Sequence, residues 1–273
     1  MKTTRLFIVL ISIFATQAFA QNPTSSSDAI LPTGEEVAMH INSRDEGKAV
    51  SRKLSIEMRD RRGKIRQRET MSYRKYFAEE KRTVIFYLSP KNIKDTAFLT
   101  YDYNDPALKD NQWLYLPALR KVRRISAADR GDYFLGTDMT YEDIKLETRV
   151  STADFNFQTI GTCDANGKPG LQIEGTPKTP EIARELGYSK TQSCIDNTIW
   201  MVRTSQFWDI KGNLLKTVTI SNIEQIQGIW TQQNIDVENH KTGHSTGLTF
   251  SEVDYQSLVP DNMFTTNAIK RGL

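Results

Sequence analysis

Hydrophobic and polar positions alternate with a period of two along much of this chain. Leu54, Ile56 and Met58 alternate with Ser55, Glu57 and Arg59, the pattern of a strand with one buried face. Residues 61–64 form a turn, and 65–77 return as a second strand whose polar face (Arg66, Arg68, Thr70, Ser72, Arg74) is strongly basic. Residues 83–88 (TVIFYL) are apolar on both faces, which predicts a central strand covered on both sides. Strands are also predicted at 97–103, 112–116, 145–160 and 171–174. Two hairpins follow: 199–210 with 214–222, turning at Lys211-Gly212-Asn213, and 229–238 with 247–255.

Helical signals are few. Thr33 with Glu36 forms a capping-box pattern ahead of Val37, Met39 and Ile41, and predicts a helix over 34–42. Residues 181–186, after Pro180, read as one helical turn or a bent loop. Residues 260–273 read as a final helix on the sheet. The sum is a mainly β chain of roughly ten antiparallel strands. A sheet that long twists and either curls into a partial barrel or splits into a sandwich. One face needs a cover, and the first helix, residues 127–144 and the tail are available for it.

The N-terminus sets the compartment. Lys2 and Arg5 precede an apolar run from Leu6 to Phe14, and Ala18-Phe19-Ala20 fits a small-x-small cleavage site. Residues 1–20 therefore read as a cleaved secretory signal peptide, with an apolar run too short for a good membrane span. No cysteine follows the cleavage site, so the mature chain is not expected to be a lipoprotein itself. Residues 21–30 (QNPTSSSDAI) read as a flexible leader and 31–273 as one domain. No later window reaches the ~18 apolar residues of a transmembrane helix. The expected product is soluble and exported, to a bacterial periplasm.

The formal net charge of +3 falls to about +1 once Lys2 and Arg5 are removed, which argues against nucleic-acid binding. In an oxidising compartment Cys163 and Cys194 predict one disulfide, closing a loop of about 30 residues and worth roughly 3 kcal/mol. A zinc site is not expected, because none of the three histidines (His40, His240, His244) lies near a cysteine in sequence.

Catalytic signatures are missing: no G-x-S-x-G elbow, no H-E-x-x-H, no Gly-rich phosphate loop, and no cysteine with a plausible histidine base. No enzyme activity, cofactor or metal is expected. His240 and His244 sit in a hairpin turn. Asp132, Asp138, Glu142 and Asp143 read as loop and cap residues, or as counter-charges to the basic run Arg120, Lys121, Arg123 and Arg124. That run has three readings: a solvated strand edge with long stems over apolar surface, a site for an anionic partner (phospholipid headgroups, a transiently contacted membrane surface or a docking protein), or a nucleic-acid contact disfavoured by charge and compartment. The tryptophans (Trp113, Trp200, Trp208, Trp230) and most phenylalanines read as core. A curled sheet also has an apolar concavity suited to an acyl chain, which gains about 0.8 kcal/mol per buried CH₂.

The most uneven stretch of the chain carries a resemblance. Residues 113–126 (WLYLPALRKVRRIS) and 131–144 (GDYFLGTDMTYEDI) resemble the outer membrane lipoprotein-sorting proteins, which are similar in fold to the periplasmic carrier LolA and the receptor LolB. The resemblance spans essentially the whole mature chain. It implies a curved antiparallel half-barrel with short helices covering the concave face, and an apolar cavity for the acyl chains of a lipid or lipoprotein. It further implies a partner, an inner-membrane transporter of the RND superfamily. The alternating apolar faces supply the candidate cavity residues Leu54, Ile56, Met58, Val84, Phe86, Leu88, Leu114 and Leu116. Arg120, Lys121, Arg123 and Arg124 are the candidates for headgroup or partner binding. The alternative is a docking module for the transporter with no ligand of its own.

Overall fold

Thr33 opens the first element. Its hydroxyl accepts the Glu36 N–H at 3.2 Å, and the Glu36 carboxylate accepts the Thr33 N–H at 2.7 Å, so α1 runs from Gly34 to Asn42. The computed structural model describes residues 31–273 apart from Pro106 and Thr148; the expected signal peptide and leader lie outside the described residues. Six strands follow α1: β1 (Ala49–Arg59), β2 (Ile65–Tyr76), β3 (Glu80–Ser89), β4 (Ala97–Tyr103), β5 (Asn111–Leu116) and β6 (Lys121–Ile125). A crossover over 126–154 carries two 3₁₀ turns and the short helix α2 (Tyr141–Leu146). Then come β7 (Phe155–Asp164), β8 (Pro169–Pro177), α3 (Pro180–Leu186), β9 (Tyr188–Asp196), β10 (Met201–Asp209), β11 (Leu214–Ile226), β12 (Ile229–Asn239), β13 (His244–Asp254) and α4 (Thr266–Arg271).

The strands form one antiparallel sheet of 13, in the order β6-β5-β4-β3-β2-β1-β13-β12-β11-β10-β9-β8-β7. The chain meanders out from β1 to the edge strand β6 and crosses to the other edge at β7. It then meanders back until β13 pairs with β1, with Leu54 opposite Phe250 and Ile56 opposite Leu248. β6 and β7 do not pair, so the sheet is open. Crossover residues Phe134, Met139, Tyr141 and Ile144 share one core with Leu54 and Ile56 of β1, Phe98 of β4, Ile220 of β11 and Val237 of β12. Both halves of the sheet touch this single segment because the sheet is wrapped around it.

The opposite, convex face has its own cover. Val259, Phe264 and Ile269 of the tail pack on Val84 and Phe86 of β3 and Ala97 and Leu99 of β4. At the β7 edge, α1 lies so close that a Cβ on Gly34 would fall 2.3 Å from the Phe157 backbone. Glu35 accepts the Phe157 N–H at 3.1 Å, which satisfies a donor of an edge strand. The predicted disulfide is present, with Cα atoms 5.9 Å apart. It ties β7 to β9 past Gly170 of β8, where a Cβ would meet the Cys163 sulfur at 3.2 Å and the Ile195 carbonyl at 2.5 Å.

Three expectations change. The sheet has 13 strands, because β9 was not predicted and the basic run forms β6 in its own right. Residues 145–160 are not one strand: Lys145 lies in α2 and β7 begins at Phe155. The helical covers are divided between both faces, with α2 on the concave side and α4 on the convex side.

Candidate functional site

The concave face is where the molecule departs from a plain β core. Sheet residues pointing into it include Arg52 on β1, Lys81 on β3 and Lys216 on β11, exposed by 4%, 2% and 0%. A buried charge is tolerated only when paired and hydrogen-bonded, and each of these cations has partners on or beside the crossover. Arg52 grips Glu147 with two bonds of 2.6 and 2.8 Å while its guanidinium stacks 4.4 Å from the Phe250 ring. Lys216 pairs with Asp143 at 2.5 Å and donates to the Asp138 carbonyl at 3.2 Å. Lys81 pairs with Asp102 at 3.0 Å and donates to the Lys145 carbonyl at 3.1 Å.

The crossover supplies its own charges as well. Arg130 holds Asp154 bidentately at 2.9 and 2.8 Å and reaches Glu185 at 3.1 Å. Lys145 pairs with Glu142 at 2.7 Å and with Asp110. The Asp138 carboxylate accepts from Thr246 at 2.7 Å and from Asn239 at 3.0 Å. The Asp143 carboxylate also closes a capping box with Thr140, which fixes the start of α2. The crossover is thus a roof fastened to the sheet by charged pins from β1, β3 and β11 and by polar contacts from β12 and β13.

These environments pull the roof carboxyls apart in acidity. Burial disfavours ionised Glu147, but the charge and hydrogen bonds of Arg52, with Arg74 further off, outweigh it and hold the group down at about 2. At Glu142 burial wins: the pKa is raised despite Lys145 and Arg130. Glu147 also has φ 58° and ψ −91°, a sparsely populated conformation for a residue with a side chain, maintained at the end of α2 by the Arg52 grip.

A cavity of about 110 Å³ lies under the roof. Its apolar wall includes Met139, Leu146, Phe155, Phe157, Leu186, Val202, Phe207, Val218 and Ile220, and its roof side carries Glu142, Asp143, Glu147 and Asp154. A larger depression, about 480 Å³, lies on the convex face, lined mainly by Glu57, Arg59, Thr217, Asp236 and Glu238. Its polar lining does not suit an acyl chain, so chemistry favours the smaller cavity over the larger.

The sequence-predicted residues divide between the faces. Leu54, Ile56, Met58 and Leu114 are buried in the concave core, and Leu116 packs partly buried against it. Val84 and Phe86 are corrections: they face the other way and lie under the C-terminal tail, while Ile85 and Tyr87 are the concave residues of β3. Leu88 shares the parity of Val84 and Phe86 and is 38% exposed. The polar face of β2 is also a correction, since Thr70, Ser72 and Arg74 point inward and are buried. Arg74 donates to the Glu46 carbonyl, and Arg68 donates to the Leu135 carbonyl of the roof at 2.7 Å.

Arg120, Lys121, Arg123 and Arg124 are exposed on the free edge β6 and the turn before it. Arg123 pairs with Asp129 at 2.9 Å, and Arg124 donates to Asn111. Of the carboxylates read as loop and cap residues or as counter-charges to this run, Asp143 is a cap residue of α2, and Asp138 and Glu142 are buried in the roof and not paired with the run. Among the described residues, no group of three His, Cys, Asp or Glu side chains is arranged to hold a metal.

The pins were missed in the sequence, although a signal existed. Arg52 falls in the same alternation as Val50, Leu54, Ile56 and Met58, Lys216 in that of Val218 and Ile220, and Lys81 in that of Ile85 and Tyr87. A cation in phase with an apolar face asks for a buried partner.

No curated protein matches the sequence. Among solved structures, the chain is similar to a domain from Vibrio parahaemolyticus provisionally assigned as an outer membrane lipoprotein-sorting protein. The identity is 27% and the TM-score 0.78, over 87% of this chain and 98% of that one. It is equally similar to a DUF1329 family protein from Desulfovibrio piger, at 25% identity and TM-score 0.78, over 86% of this chain and 97% of that one. A LolA superfamily protein from Nitrosomonas europaea shares the fold at 19% identity and TM-score 0.65, over 87% of this chain and 99% of that one. A family model described as "-like: Uncharacterized protein" matches residues 79–271. The chain belongs to that family, and its open, roofed sheet has the LolA-like fold of the lipoprotein-sorting relatives.

Proposed function

We propose that the protein is a non-enzymatic periplasmic carrier that holds the acyl chains of a lipid or lipoprotein between the sheet and the crossover. The observation that carries this reading is the roof itself: an apolar concavity closed by a segment fastened through ion pairs, with a cavity already open beneath it. Water needs roughly 10–15 Å³ per molecule by this measure, so about 110 Å³ receives only a short part of an acyl chain. A full chain requires the roof to lift. Leu54, Ile56, Met58 and Leu114 then become lining residues beside the aromatic wall of Phe155, Phe157 and Phe207. The likeness to a lipoprotein-sorting domain supports the same reading.

The reading includes export by a signal peptide over 1–20, a leader over 21–30, and cargo exchange with an inner-membrane RND-type transporter. Native mass spectrometry of protein purified from the periplasm tests it, with retained lipid as the expected result. Absence of bound lipid, together with failure to bind a fluorescent fatty acid, refutes the carrier.

A second reading is a transporter docking module without a ligand. The free edge β6, with Arg120, Lys121 and Arg124 exposed, favours it. Arg123→Glu/Arg124→Glu separates the two: loss of transporter pull-down with intact lipid binding supports docking, and loss of lipid binding supports headgroup recognition.

A further inference from the structure

The hairpins at one end of the sheet carry a charge that the whole chain does not. In the sheet order, β6-β5, β4-β3, β2-β1, β13-β12 and β11-β10 are five successive hairpins over ten neighbouring strands, and all five turn at the same end. The turns sit side by side: a Cβ on Gly243 would lie 3.4 Å from the Cβ of Arg61. The β1–β2 turn bears Arg61, Arg62 and Lys64, and Arg66 follows at the start of β2, all exposed. The β3–β4 turn bears Lys91 and Lys94, and the β5–β6 turn bears Arg120 and Lys121. Lys211 and Lys241 occupy the remaining two.

Against these ten exposed cations stand four acids: Asp60, Asp95, Asp209 at the end of β10 and Glu238 near the end of β12. Asp60 is occupied by the turn, accepting the N–H groups of Arg62 and Lys64 at 2.9 and 3.0 Å. The α3 connection, at the same end but on the far side, is balanced. At the opposite end the strand-to-strand turns carry Lys109 and Lys168 against Glu79, Asp105 and Asp110. The molecule is therefore polarised along its strands, although its net charge is small.

The basic tips also present aliphatic side chains beside their cations. Ile65 is 44% exposed next to Arg66, Leu119 is 62% exposed next to Arg120, and Ile210 is 58% exposed next to Lys211. Cations flanking protruding aliphatics match an anionic membrane surface: the charges meet phosphates while the aliphatic groups enter the headgroup boundary. A nucleic acid would use the charges and leave the aliphatics in water. We infer that this rim docks the protein on an anionic phospholipid bilayer, with Ile65, Leu119 and Ile210 entering its surface. The inference needs no bound cargo, so it stands or falls separately from the carrier reading.

The test is co-sedimentation of the mature protein with vesicles of phosphatidylcholine containing 30% phosphatidylglycerol, against vesicles of phosphatidylcholine alone. Binding is expected only to the anionic vesicles, weakening as salt rises toward 0.5 M, where screening shortens to a few ångströms. Each cation at such a surface contributes about fivefold in affinity. Arg61→Glu/Arg62→Glu/Lys64→Glu should therefore bind more than ~100-fold more weakly with an unchanged melting temperature. Leu119→Ser should weaken binding several-fold, and Lys109→Glu/Lys168→Glu at the other end should leave it unchanged. Failure to bind anionic vesicles at low salt overturns the inference, as does equal weakening by charge reversal at the two ends. Because every substitution lies in an exposed turn, the melting temperature separates lost docking from lost fold.

Discussion

The crossover and the C-terminal tail both cover the same sheet, yet they hold to it by different means. The tail lays Val259, Phe264 and Ile269 on an apolar patch of β3 and β4, with few polar contacts: Tyr101 donates to the Phe264 carbonyl at 2.5 Å, Lys75 donates to the Val259 carbonyl at 2.9 Å, and Lys75 pairs with the exposed Asp261 at 2.7 Å. The crossover inserts Phe134 and Tyr141 as well, but it is also pinned by Arg52, Lys216 and Lys81. Removing the tail exposes apolar surface to water and gains little in return, because its one ion pair is already largely solvated. Lifting the roof rehydrates paired charges, so much of the lost ion pairing is recovered as solvation. The charged cover is the one suited to opening.

That contrast is sharpest where a single partner is removed. Arg52→Met leaves Glu147 buried without its counter-charge and should cost about 3–5 kcal/mol in urea unfolding. Arg52→Met/Glu147→Leu should recover most of that loss. A double variant no more stable than the single one would show that the pair does more than neutralise itself. The recovered variant should load a fluorescent fatty acid more slowly if hydration of the pins eases roof opening.

On the tail, Phe264→Ala should cost about 3–5 kcal/mol by cavity formation, with no partner substitution able to restore it. Acid separates the covers next. Glu147 has its pKa lowered from an ordinary 4.5 to about 2, so its stabilisation is complete above pH 4.5 and is lost as pH falls toward 2. The shift corresponds to about 3 kcal/mol. Glu142, with its raised pKa, works in the opposite direction and blunts the loss. Hydrogen exchange at pH 3 should speed up in α2 before α4, and simultaneous loss of protection would contradict the contrast. The smallest effect expected is that of Tyr101→Phe, about 1 kcal/mol, from one hydrogen bond to the tail.

Much of the sheet was legible in the sequence, because alternation reports a strand with one wet face. Helix Gly34–Asn42 and strand Ala97–Tyr103 follow the sequence reading residue for residue. β9 (YSKTQSCID) was not legible: residues 189–193 are polar at every position, so no apolar alternation marks the strand, and a register shift at Ser189 breaks the period of two at its start. α2 is only six residues long, too short to show a helical period, and Thr140 with Asp143 was its one local signal. The two faces of β3 were confused because both are covered, so that Val84 and Ile85 are equally apolar in the sequence. The site was least legible, since a buried cation and a solvated one are the same letter until phase with the apolar face is considered.

The pairing of β1 with β13 has a consequence for how the chain acquires its structure. The strands nearest the two ends of the described chain meet in the middle of the sheet, Ser51 opposite Asp254, roughly 200 residues apart. Each meander can form from local hairpins, but the joint between them waits for the last strand. A chain emerging from its N-terminus cannot complete the concave face until nearly all of it has emerged. Until then Leu54, Ile56 and Met58 lack the neighbours Leu248 and Phe250 that close their core. Folding should therefore be slow and late, and loss of β13 alone should leave two half-sheets where there was one.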